Sequence, residues 1–439
     1  MKKFKNKFTY VASTLLLSTL ILGACGNNSG TEDSGSKDST VANGNETTLT
    51  WALWDKDATV YYEPLVEAFE DDNPGVNIEL LDLGSTDFMT VLGTQLSGGD
   101  DSIDIVTIKD IPGYASLVNK NQLEPLSELT KDVDLNQYSG TVEQITVDDE
   151  FYGLPFRSDF YVMYYNKDLF DAAKVDYPQN GITFDEYDKT IREVSEKATE
   201  ANGEKVYGGH YHTWRSQVQL YGILDGKNTL VSDDYSFLEP VYEKVLAQQD
   251  DEIVQDYAAL KTSSLHYSAA FYQNNVASLV MGTWFIPTLS EAISSGESED
   301  FEWGIATMPL TNNAPEGTAA GTITSLGISS NSKNKEEAYK FVEFVSSEKG
   351  AQIIAETGTM PAIQTEEVIN TITSNESFPS DEQSKDALQV ETNYLELPLD
   401  EHAAEVETIL NDAHDNIMTK NAAISYELKN VSEQVVKLK

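Results

Sequence analysis

Hydrophobic alternation begins abruptly at residue 49. Leu49, Trp51 and Leu53 alternate with Thr50 and Ala52, which predicts a half-buried strand. Val60, Leu65, Val66 and Phe69 then fall at helical spacing up to the breaker Asn73-Pro74-Gly75. Val76, Ile78 and Leu80 alternate again as a second strand, a helical stretch from Asp87 to Leu96 ends in Ser97-Gly98-Gly99, and Ile103-Asp104-Ile105-Val106 predicts a third strand. Strand, helix, strand, helix, strand is the order of a parallel sheet with crossover helices, so the fold class is α/β.

The mixture continues downstream. Thr183 with Glu186 predicts a capping box, followed by the apolar face Phe184, Tyr187, Ile191, Val194 and Ala198. Asn334 with Glu337 repeats the device ahead of Ala338, Phe341, Val342 and Val345, with a helix end near Gly358. Residues 402–439 read as two helices, the second striped by Ile424, Leu428, Val431 and Val435. Stripes at this spacing predict core. No repeat array, zinc-ligand spacing or phosphate-binding GxxxxGK[ST] loop is present, so neither a metal nor a cofactor is expected.

The N-terminal end carries different information. Lys2, Lys3, Lys5 and Lys7 precede an apolar run over residues 11–22, too short to span a bilayer, where roughly 20 residues are needed. The run stops at Leu22-Gly23-Ala24-Cys25, which resembles a bacterial lipobox, and Cys25 is the sole cysteine. Residues 1–24 are therefore expected to be a signal peptide and Cys25 a lipidated N-terminus on the outer face of the cell membrane. Residues 26–48 are Gly, Asn, Ser, Thr, Asp and Glu with almost nothing to bury, a flexible tether reaching roughly 75 Å when fully extended. Taking the four leader lysines from 29 basic residues leaves 25 against 73 acidic ones, a formal charge of about −48. That charge argues against nucleic acid as a partner and leaves membrane attachment to the lipid. A chain that is 40% hydrophobic and 10% aromatic has apolar surface enough for a packed core.

Several blocks follow one another in an order that resembles the family 1 extracellular solute-binding proteins, the maltose-binding-protein-like receptors of ABC importers. They are Trp51-Ala52-Leu53-Trp54-Asp55, Ser97-Gly98-Gly99-Asp100, Leu123-Glu124-Pro125-Leu126, Tyr152-Gly153-Leu154-Pro155 and Tyr165-Asn166-Lys167-Asp168-Leu169-Phe170, then Met281-Gly282-Thr283-Trp284, Gly304-Ile305-Ala306-Thr307-Met308-Pro309 and Gly358-Thr359-Met360-Pro361-Ala362. The resemblance implies two α/β lobes around a ligand cleft. A first lobe would hold residues 49–157 and 307–331, and a second 158–306 and 332–439. It further implies a monomer that passes a sugar or oligosaccharide to membrane permease subunits, with no catalytic step.

A sugar presents apolar CH faces and a rim of hydroxyls, so its receptor needs flat aromatic surfaces beside hydrogen-bonding groups. The chain concentrates those types at Trp54 and Asp55, at Asp110, at Arg157 and Asp159, at Tyr211, Trp214 and Arg215, and at Trp284. Trp54-Asp55, Asp110 and Trp284 follow predicted strands, where open α/β sheets bind ligands. Two of the three arginines lie in these clusters, and an Arg fork suits bidentate hydrogen bonding. By resemblance, Trp284 matches the family's ligand-stacking Trp and Asp159 an acidic ligand contact. Trp51 and Trp303 read as core, and the pairs Tyr61-Tyr62 and Tyr164-Tyr165 as packing. A polyamine receptor of the same fold, a surface glycosidase drawing two carboxylates from 73 acids, and an adhesin are the alternatives.

Overall fold

The computed structural model describes residues 46–85, 87–311 and 314–439; the leader, Cys25 and most of the tether lie outside the described residues. The opening alternation becomes strand β1 (Thr47–Leu53), flanked in parallel by β2 (Val76–Asp82) and β3 (Ile105–Ile108). Helices Tyr62–Asp72 and Phe88–Ser97 make the crossovers. Val60 does not join the first helix but is exposed just ahead of it, and Tyr62 fills the buried position instead.

The remaining strands are β4 (Leu154–Asn166), β5 (Ser278–Gly282), β6 (Trp303–Thr307), β7 (Thr318–Ile328) and β8 (Thr392–Leu395). All 13 residues of β4 are buried, because the strand runs through both lobes and is covered on both faces. Its residues 154–160 pair antiparallel with β7, which continues to β3; its residues 161–166 pair with β5 and β6. The strand order is β2-β1-β3-β7-β4-β5, with β6 on β4 and β8 parallel to β7. One lobe is thus built on β1–β3 and β7, the other on β5 and β6, and β4 changes sheets between Phe160 and Tyr161, three residues past the boundary read from the sequence.

The C-terminal helices divide between the lobes. Helix Lys335–Val345 lays Phe341 edge-on against Trp51 of β1 at 5.1 Å and against Phe69 at 5.0 Å, so it packs on the first lobe rather than the second. Its stripe was legible, but a stripe does not say which sheet receives it. Helix Ala403–Met418 lies against both lobes: His414 meets Tyr242 and Tyr257 of the second, and the helix also packs on Ile111–Asn119 of the first. The capping box at Thr183 and Glu186 forms in both directions. The one at Asn334 does not: its amide donates to Asp104 at 3.2 Å, whose carboxylate also accepts from the backbone N–H of Thr50 and the hydroxyl of Ser332. Trp51 is fully buried and its indole donates to Thr107 at 2.8 Å.

Candidate ligand-binding site

β5 ends in Gly282, and the chain turns through Thr283 and Trp284 into helix Phe285–Ser295. The Trp284 indole lies flat over Gly282, where an added Cβ would come within 2.1–2.3 Å of three ring atoms. Its N–H donates to the Tyr267 hydroxyl at 3.2 Å, and Tyr161 of β4 stands edge-on at 5.5 Å. Trp214, 40% exposed, lies 6.4 Å from Trp284. His212 fills the space behind, 4.7 Å from Trp214 and 5.4 Å from Tyr267, with His266 at 5.6 Å. These side chains form an aromatic wall on the second lobe.

The first lobe contributes Trp54 and Asp55 where β1 ends. Trp54 rests on Phe88 at 5.1 Å and carries the Lys109 ammonium 5.1 Å above its ring. Asp55 takes a left-handed backbone at φ 49°, which redirects the chain out of the strand. Burial lowers the His266 pKa and the Asp55 charge opposes that, so the loop after β1 is within electrostatic reach of the wall.

Arg157 and Asp159 sit between these surfaces on β4, 8% and 1% exposed. Arg157 donates to Asp159 at 2.6 Å and to the Tyr61 hydroxyl at 2.9 Å, and Asp159 accepts from Thr283 at 2.8 Å. Burial raises the Asp159 carboxyl above its ordinary pKa, opposed by the Arg157 charge. The pair therefore ties the first-lobe Tyr61 to the turn that carries Trp284.

Three expected residues face elsewhere. Arg215 is 2% exposed and directs its fork to Glu407 of helix Ala403–Met418, with Glu396 at 3.6 Å and Gln219 at 3.5 Å. Tyr211 is buried in the second-lobe core, its hydroxyl within electrostatic reach of Tyr221 and Tyr187. Asp110 is the N-cap of helix Ile111–Asn119, accepting from the Gly113 N–H at 2.7 Å. Burial raises its pKa, with Glu407 adding to the effect and Lys109 and Arg215 opposing it. Of the predicted set, Trp54, Asp55, Trp214 and Trp284 supply open surface, and Arg157 and Asp159 support it from below. His212, which crowds the same short segment as Trp214, joins the wall, and Tyr267 and His266 are additional members that the sequence reading left out of the site. Burial lowers the pKa of His212 to about 3 and of His210 to about 4, so both are neutral donors or acceptors near neutrality.

Among the described residues, no group of three or more His, Cys, Asp or Glu is placed to hold a metal ion, and no helix is long and apolar enough to cross a membrane. A cavity of about 810 Å³ lies away from the wall, lined by Ala115, Val118, Gln144, Gly226 and Tyr394 among others. It contains no Trp and none of the paired charges, so the aromatic wall is the better candidate for a sugar.

The sequence profile of the bacterial extracellular solute-binding proteins matches residues 55–352. The chain belongs to that family. It is 46% identical to a sugar transporter from Rhizobium etli whose crystal structure is in an open conformation, with a TM-score of 0.78 over 90% of this chain and 100% of that one. The substrate-binding protein from Listeria monocytogenes in complex with cycloalternan superposes with a TM-score of 0.74 at 21% identity, over 90% of this chain and 99% of that one, and shares the fold. A maltooligosaccharide ABC transporter solute-binding lipoprotein from Streptococcus pneumoniae is 24% identical over 376 residues, 81% of this chain and 80% of the relative. The two-lobe α/β architecture of this family of receptors is the one expected from the sequence.

Proposed function

We propose that this solute-binding protein captures a sugar between Trp54 of the first lobe and the Trp214–Trp284 wall of the second. It then presents the closed form to the permease of an ABC importer, acting as a monomer held to the outer membrane face through a lipid on Cys25. The observation that carries the reading is the pairing of aromatic faces from both lobes with hydrogen-bonding groups beside each. A ligand that touches both lobes stabilises the closed state by its differential contacts, and one that touches a single lobe does not. The similarity to a sugar transporter at 46% identity supports the same chemistry over a polyamine. The family is one of binding proteins, which supports capture without turnover.

A thermal-shift screen tests it, with maltotriose, lactose and mannobiose in one arm and spermidine in another. A sugar at a hundred times its dissociation constant stabilises by roughly 2.7 kcal/mol. A shift with spermidine alone overturns the sugar reading, and hydrolysis of a bound oligosaccharide overturns capture without turnover.

A further inference from the structure

The wall has two indoles, Trp214 exposed and Trp284 half-buried, and one residue that joins them. Tyr267 opens helix Tyr267–Tyr272 and is only 7% exposed, so it offers almost no stacking face of its own. Its ring stands edge-on to Trp214 at 5.6 Å, to His212 at 5.4 Å and to Phe285 at 5.2 Å, and lies 4.1 Å from His266. Its hydroxyl accepts the Trp284 indole N–H. Every other constraint on that indole is steric: Gly282 beneath one face and Tyr161 at an edge. Steric seats limit where a ring lies, whereas a directional hydrogen bond at Nε1 selects its rotation about the seat. Trp284 lies at the turn between strand and helix, where no neighbouring turn of helix fixes its side chain.

We propose that Tyr267 is a positioning residue: by accepting from Trp284 while packing against Trp214, it fixes the 56° angle between the two indoles and so the shape of the surface a sugar meets. Without the hydroxyl, the indole N–H of a half-buried ring loses its protein partner and the ring is free to turn toward water. The ring of Tyr267 would still hold Trp214, so the two indoles would no longer move as one surface. The consequence for affinity rests on the sugar-capture reading; the consequence for the indole does not.

The test uses the mature protein and four forms: wild type, Tyr267→Phe, Trp284→Phe and the double variant. Trp284→Phe removes the indole N–H and also assigns its resonance in the ¹⁵N spectrum. Without ligand, Tyr267→Phe should move the Trp284 indole cross-peak upfield and speed its hydrogen exchange, while the melting temperature stays that of wild type. With maltotriose as probe, Tyr267→Phe should weaken binding about threefold to tenfold in the wild-type background, the share of one hydrogen bond, and not at all in the Trp284→Phe background. An unmoved indole cross-peak overturns the proposal. So does an equal loss in both backgrounds, which would make Tyr267 a direct ligand contact. Should maltotriose fail to bind the wild type, that result counts against this sugar as the ligand, and the ligand-free spectrum still decides the role of Tyr267.

Discussion

Arg157 and Asp159 pair at 2.6 Å two positions apart on the same strand, immediately before β4 leaves one sheet for the other. Alternation places both side chains on one face, and Tyr61 and Thr283 hold the two ends of the pair. Asp159→Ala would strand a buried guanidinium, so it should cost about 3–5 kcal/mol in ligand-free urea unfolding. Asp159→Asn keeps the Thr283 hydrogen bond and should cost less. If Asp159→Ala unfolds like wild type but no longer binds sugar, the pair is a ligand contact and not the tie between lobes described above.

Trp284→Ala should weaken sugar binding by about 2 kcal/mol, in the range of aromatic hot spots, with little change in ligand-free melting. Gly282→Ala should reproduce part of that loss, since its methyl would occupy the seat of the indole. Calorimetry and melting on the same preparations separate the two roles. A large fall in melting temperature for Trp284→Ala would mark a core residue, for which truncation costs about 3–5 kcal/mol.

Cys25→Ala should release the protein from the membrane fraction, because the acidic chain has no affinity of its own for an anionic surface and an unlipidated tether supplies none. Retention in the membrane fraction would contradict the lipid anchor.

How far the sequence foretold this site depends on where each residue lies. Trp54 and Trp284 were legible because each follows a strand with a clear period, and the strand fixes the exit direction of the chain. Residues 211–215 were legible only in part: Trp214 was singled out and lies on the wall, but the stretch runs through a loop with no period to tell one face from another. There His212 and Trp214 join the wall while Tyr211 enters the core and Arg215 turns to Glu407. Tyr267 was missed for a related reason: its stripe partners Ala270 and Phe271 are core, so local pattern predicts core for it too. The failure at Asn334 was tertiary, since Asp104 sits 230 positions away in sequence and competes for its side chain.

The neutral histidines set an acid limit. The unfolded side chains take up protons near the ordinary value of 6.5, while His210 and His212 resist until about 4 and about 3 because burial disfavours their charged forms. Between these values the unfolded state binds more protons, so their contribution is constant above 6.5 and stability falls as pH drops below it. His212→Gln should therefore lose less stability than wild type between about pH 7 and pH 5. Parallel decline of the two proteins, read from ligand-free melting temperatures, would remove His212 from the explanation.

Glu396 has the opposite sign. It follows β8, its N–H donates to Gly321 of β7 at 2.7 Å, and its carboxylate approaches Arg215 at 3.6 Å, so it stands where the first-lobe sheet meets the second-lobe charge cluster. Burial pushes its pKa up to about 7; Arg215 opposes the rise, while Glu407 and Asp110 add to it. Arg215 is shared among three carboxylates, with only Lys109 beside Asp110 adding a second cation, which leaves Glu396 under-compensated. A raised carboxyl contributes stability that is complete below its unfolded value of 4.5 and is lost as pH climbs through about 7. Wild type should therefore lose more stability than Glu396→Gln between about pH 6 and pH 8, because the amide keeps the shape of the protonated acid and never acquires the charge. Urea midpoints at the two pH values measure the difference, and the sign is the test: a variant that loses as much as wild type would show that Glu396 is already charged at the lower pH and that Arg215 alone satisfies it.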